Sequence, residues 1–134
     1  MVYPKLVFDY LQHRELADNI WHAQMAGHPR ILTYNGPDLV TRRQTRRDAM
    51  HYQVGNDSFE IPHILSRDEY PFACTVEGGG RSWVGHIPGR LNSVQGGMIA
   101  SFLRATMITA GRGPASMFEV EVTHHPNGPV TRRL

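Results

Sequence analysis

The run SRDEYPFACTVEGGGRSWVGHIPGRLNSVQGG, residues 66–97, decides how the rest of the chain is read. Residues 72–76 and 82–87 are expected to form two strands, joined by the Gly-rich connection from Glu77 through Gly78, Gly79 and Gly80 to Arg81. After a loop at residues 89–93, Ile99, Phe102, Leu103 and Thr106 recur at helical spacing, and Gly111 ends the pattern. The segment therefore reads strand, strand, helix. Asp68 and Glu69 precede the first strand and Glu77 follows it, so a hairpin can bring carboxylates to a common edge. A hard divalent cation such as Mg²⁺ keeps several waters and needs only one or two carboxylates, an amide oxygen and a phosphate. Asn92 and Gln95 offer amide oxygens where the helix starts, and its free N–H groups and dipole also favour an anion there. A plainer reading stays open, in which Asp68 and Glu69 are solvated loop carboxylates and Asn92 is an ordinary N-cap.

Outward from this run, residues 2–10 mix Tyr3, Leu6, Val7, Phe8 and Tyr10 and read as a strand, with Pro4 near its start. Leu16, Ile20, Ala23 and Ala26 recur at helical spacing with Gly27 as the stop, and Ile31, Leu32 and Tyr34 make a short strand ending at Asn35-Gly36-Pro37. Thr41 and Gln44 have capping-box spacing, so residues 41–52 are expected to be a helix presenting Arg42, Arg43, Arg46 and Arg47. Residues 55–66 read as a long loop or a short irregular strand. Residues 116–123 alternate Phe118, Val120 and Val122 against Glu119 and Glu121, a half-buried strand. The fold class expected is α+β, a small mixed or antiparallel sheet with helices. One domain is expected over residues 1–123, with a flexible tail at 124–134 in which His124 and His125 are solvated.

The 134 residues suffice for one domain with its own core, and the 40% apolar content is that of a globular chain. No apolar run approaches the roughly 18 residues a bilayer requires, and the first ten residues do not read as a secretion signal, so no membrane association is expected. The net charge is only +2, yet of the 14 cationic side chains Lys5 is the one lysine, and the guanidinium fork of Arg suits phosphate. Cys74 stands alone, which excludes an internal disulfide, and the 8 His residues form neither HExxH nor a Cys/His finger spacing.

The string DEYPFA, the later EGG and the N-x-x-QGG that opens the helix together resemble the NucA/NucB family of bacterial deoxyribonucleases. The earlier run Ala23-Gln24-Met25-Ala26-Gly27-His28-Pro29 with Leu32-Thr33 resembles that family too, so the likeness spans nearly the whole chain. It implies a strand-strand-helix metal-finger core that hydrolyses DNA without base readout, using one divalent metal, Mg²⁺ or Mn²⁺. By that likeness Asp68 is the general base or a metal ligand, Glu69 a supporting carboxylate and Asn92 the metal-side amide, with Glu77 and Gln95 as second choices. Family members often carry Cys before the Asp-Glu pair, where this chain has Arg67. The likeness also implies secretion or delivery into another cell, as the catalytic part of a bacterial toxin with a dedicated inhibitor (immunity) protein.

His86, at the end of the second expected strand, is an alternative base because an unperturbed imidazole titrates near neutrality; the competing reading is a structural histidine. Arg81, Arg90 and Arg104, and the helical Arg42 and Arg46, are the candidate DNA-backbone contacts. Cys74, Trp21 and Trp83 read as packing residues. The rival from another class is a nucleic-acid-binding module on the same fold that has lost turnover, and a third reading is a protein-interaction domain.

Overall fold

A computed structural model describes residues 2–36, 65–79 and 82–131. Strand β1 (Lys5–Asp9) runs parallel to β5 (Met117–Thr123), and β2 (Ile31–Thr33) pairs antiparallel with the other edge of β5. Alternation sends Leu6, Phe8, Leu32, Phe118, Val120 and Val122 to one buried face, in the registers Leu6↔Val120, Phe8↔Val122 and Leu32↔Phe118. A slip of one residue would turn this apolar set to water, which is what specifies the register. The opposite face carries the ion pairs Lys5–Glu121 (3.1 Å) and Arg30–Glu119 (3.0 Å), half in water and worth little.

Helix α1 (Arg14–Met25) buries Leu16, Ala17, Ile20, Trp21, Ala23 and Gln24, the face that the spacing of its apolar residues predicts. It ends at Ala26, and Gly27 at φ 119° takes the reversal that a side chain would resist. On one side α1 contacts β1 and β5; on another it contacts an antiparallel ribbon made of β3 (Leu65–Tyr70) and β4 (Trp83–Pro88). Helix α2 (Gly89–Thr106) follows β4 directly and packs on the same ribbon. Phe102 of α2 meets Phe118 of β5 at 5.5 Å between ring centres, and Phe72 meets both Phe8 (6.2 Å) and Tyr70 (5.3 Å), so sheet, ribbon and helices share one core. The fold is α+β.

Three expectations shift. The first strand of the ribbon is residues 65–70 rather than 72–76, so Asp68 and Glu69 lie within a strand and not ahead of it. Pro71 has no N–H to continue a ladder, and the apolar run after it turns back over β2: Cys74 accepts a hydrogen bond from Asn35 N–H (2.8 Å), Val76 N–H donates to Thr33 (2.9 Å), and Thr75 bridges Tyr34. Residues 89–93 are the first turns of α2, with Pro88 at the N-cap, so Asn92 is inside the helix instead of capping it. Gly96 and Gly97 cost helix propensity where the pattern suggested a boundary, but packing on the ribbon outweighs that cost. The tail expected to be solvated is so only in part: His124 is exposed, but His125 is only 8% exposed and Trp21 Nε1 donates to the Gly128 carbonyl (2.9 Å), so residues 125–128 lie against α1. The helix expected at 41–52, with Arg42, Arg43, Arg46 and Arg47, lies outside the described residues, as does Arg81. Among the described residues no helix is long and apolar enough to cross a membrane.

Candidate active site

The register of the ribbon sorts the expected site residues. Residues paired across an antiparallel ladder point the same way, and neighbours along a strand point oppositely. Ser66↔Ile87, Asp68↔Gly85 and Tyr70↔Trp83 therefore share the face that carries the buried side chains Ser66, Asp68, Tyr70 and Ile87. Arg67↔His86 and Glu69↔Val84 share the opposite face, where His86 and Val84 are exposed. Asp68 is thus separated from Glu69 and His86 by the ribbon itself. A single site cannot use the facing side chains of all three.

Asp68 is 2% exposed and lies where α1, the ribbon and α2 meet. Asn19 of α1 donates from Nδ2 to Asp68 Oδ2 at 2.8 Å, and the same nitrogen approaches the Asp68 carbonyl at 3.4 Å. Trp83 Nε1 donates to Asn19 Oδ1 at 2.9 Å. Because an indole N–H only donates, it fixes which end of the Asn19 amide is oxygen and so which end meets the carboxylate. Burial pushes the Asp68 carboxyl up to about 6; the hydrogen bond from Asn19 and the amide dipole of the neighbouring Gln95 favour the charged form, and the charge of Glu69 adds to the rise. A carboxylate with that value is part-protonated near neutral pH and can accept a proton there.

From α2 come two amides, three residues apart and so on adjoining turns of one face. Gln95 is 6% exposed, sits beside Asp68, and its Nε2 has no hydrogen-bond partner. Asn92 Nδ2 donates to the Arg67 carbonyl (3.0 Å), tying the helix to the ribbon. Arg90 and Arg104 are exposed on α2, fourteen residues apart and hence nearly on one line along the helix. Glu77 goes elsewhere: its two oxygens accept the Thr33 N–H (2.7 Å) and the Thr33 hydroxyl (2.8 Å), clamping the turn after β3 onto β2. The expectation that Glu77 joins the other carboxylates is corrected by this geometry, since both of its oxygens are engaged by the backbone and side chain of a sheet residue.

Asp18, His22 and His125 form a second cluster, whose ligand atoms lie within 4.8 Å of one another. Three such atoms are enough in kind for a metal ion. Their hydrogen bonds describe a different arrangement. Asn127 N–H donates to His125 Nδ1 (3.1 Å), which requires that nitrogen to be the acceptor and leaves the proton on Nε2, facing Asp18 Oδ1 at 2.8 Å. A metal on Nε2 would force the proton onto Nδ1, against the Asn127 N–H. With Trp21 stacked flat on His125 (4.1 Å, 4°), the cluster fastens the tail to α1. A cavity of about 490 Å³ lies beside this tail, lined by Gln24, Arg30, Glu121 and Thr123, and holds none of the expected site residues.

Of the residues that the sequence names as candidates, Asp68, Asn92 and Gln95 come from the ribbon and the helix packed on it; the sequence does not point to Asn19, on the polar side of an amphipathic helix, or to the hydrogen bond of Trp83. The available signal was Gly85, since a glycine inside a strand often marks close approach of another group. The family model for deoxyribonuclease NucA/NucB matches residues 20–113, a span running from α1 through the ribbon and α2. No curated protein matches the chain.

Proposed function

From the premise that this chain belongs to the NucA/NucB deoxyribonuclease family, we propose that it is a metal-dependent endonuclease cutting DNA without base readout, with Asp68 as its general base. The observation that carries the reading is the Asp68 carboxyl, buried where α1, the ribbon and α2 meet and raised to about 6. Such a group takes a proton from a water attacking phosphorus at near-neutral pH. The strand-strand-helix order of β3, β4 and α2 supports a metal-finger core on residues 65–106. The domain so proposed spans residues 1–123.

Beside Asp68, which is kept for the proton, amide oxygens from Gln95 and Asn92 with waters and a substrate phosphate fit a hard divalent cation in kind. Gln95 supports the fit, because its buried Nε2 has no partner, so turning the amide to offer Oε1 to a cation breaks no hydrogen bond of that nitrogen. When bound there, Mg²⁺ or Mn²⁺ would neutralise charge on the scissile phosphate and the departing oxygen. Asn19 orients the base, and Arg90 and Arg104 contact the DNA backbone. Glu69 and His86, on the other face of the ribbon, take no part in proton transfer. The family's reading as a delivered toxin catalytic unit, opposed by an immunity protein, belongs to the same proposal; co-purification of a tight inhibitor from the producing cell would test it.

The direct test is supercoiled plasmid incubated with the protein in Mg²⁺, in Mn²⁺ and in chelator, alongside Asp68→Asn and Glu69→Gln. Cutting that needs metal, falls by roughly 10²- to 10⁴-fold in Asp68→Asn and persists in Glu69→Gln is expected. Undiminished cutting in chelator removes the metal, and intact plasmid in every lane with salt-sensitive DNA retention replaces the enzyme by the binding module.

A further inference from the structure

We propose that Asn19 is the positioning residue of this nuclease, set in place by the Trp83 indole and the open space at Gly85 so that it holds one oxygen of Asp68. The inference rests on Asp68 being the base. It concerns a residue immediately ahead of the span that the family model covers.

Three elements converge on this one amide. Asn19 comes from α1, Asp68 from β3, and Trp83 and Gly85 from β4. The indole N–H at 2.9 Å from Oδ1 removes the freedom of the amide to turn over, and the N–H of Nδ2 at 2.8 Å then claims Oδ2 of the base. With Oδ2 held, the carboxylate of the base is fixed in orientation. Gly85 stands directly across the ladder from Asp68, and a Cβ there would overlap Asn19 Oδ1 and come within 2.6 Å of its Cγ. Glycine inside a strand weakens it, so its place opposite the base is explained by the room Asn19 needs. A tie that served only to join α1 to the ribbon would not require a donor aimed at the carboxylate, nor a partner that dictates which end of the amide faces it.

The test is a set of double-mutant cycles in steady-state cleavage of a duplex oligonucleotide at saturating Mg²⁺, with folding checked by circular dichroism. Asn19→Ala should lower kcat by about 10- to 100-fold, the range of a hydrogen bond to a charged group, with KM for DNA within about twofold. Trp83→Phe keeps the ring and loses the N–H, so it should lower kcat by a smaller factor. In the Asn19→Ala background Trp83→Phe should add no further loss, because there is no amide left to orient. Gly85→Ala should by itself resemble Asn19→Ala, and should cost nothing more once Asn19 is Ala and the space is vacant.

Multiplicative losses in both cycles, or a change confined to KM, would overturn the proposal, since they describe independent structural defects. Asn19→Ala with full kcat would overturn it as well. If Asp68→Asn retains its kcat, the reading of Asp68 as base fails instead, an outcome separable from failure of Asn19 because the two variants are assayed side by side. Should Asn19→Ala fail to fold, Trp83→Phe and Gly85→Ala still decide the matter: unchanged kcat in both would overturn the proposal.

Discussion

Asp68→Asn should make the protein more stable above about pH 6 while slowing its chemistry by roughly 10²- to 10⁴-fold. The ordinary carboxyl value is 3.8 and that of Asp68 in the fold is about 6, a gap of about 2 pH units. Folded protein therefore binds the proton more tightly than unfolded chain. Below about pH 3.8 both states carry the proton, and the buried group costs nothing extra. As pH rises through the interval to about 6 the unfolded chain ionises first, and above it both states are charged, so the folded state bears the full cost. At about 1.36 kcal/mol per pH unit this is about 3 kcal/mol, with no discount for solvent because Asp68 is 2% exposed. Asparagine has the same shape, keeps an acceptor for Asn19 Nδ2 and carries no charge. Its advantage should be near zero at pH 4 and grow to about 3 kcal/mol by pH 8, or roughly 10 °C in Tm for a domain of this size. Thermal unfolding followed by circular dichroism from pH 4 to 8 reads it directly, in chelator so that no bound cation offsets the charge. A difference that does not change with pH, or a wild type that is the more stable partner at pH 8, would refute the reasoning.

The clamp at Glu77 gives a contrasting expectation: Glu77→Ala strands the Thr33 N–H, 7% exposed as a residue, and should lower stability by about 1 to 3 kcal/mol in urea unfolding while kcat holds for the protein that stays folded. His125→Ala removes the stack on Trp21 and the bond to Asp18, so its Tm should fall by several degrees, whereas Tm in His22→Ala, whose ring is half exposed 3.4 Å from Asp18, should barely move. Arg90→Ala and Arg104→Ala should each reduce the slope of log K against log salt for duplex DNA by about 0.9, with cleavage of bound DNA little altered; unchanged slopes would take α2 off the DNA.

Much of this protein was legible from local pattern. The α1 face, the alternation of β5 and the strand-strand-helix order after residue 64 are periodicities, and periodicity depends on neighbours in sequence. Asp68, Gln95 and Asn92 could be named as candidates because residue type and motif spacing are also local. Strand bounds were less secure, since residues 72–76 have strand composition but Pro71 interrupts the ladder and β2 recruits the carbonyls and N–H groups beyond it. What only the tertiary structure decided was which of the clustered carboxylates and imidazoles face one another. Asp68 and Glu69 are adjacent in sequence and opposed in space, because a strand turns its neighbours to opposite faces. Asn19 and Trp83 lie 49 and 15 positions from Asp68; the packing of α1 on the ribbon brought the first to it and the pairing of β3 with β4 the second, and no local spacing encodes either contact. The raised value of Asp68 has the same origin, for burial belongs to the assembled core and not to any residue by itself.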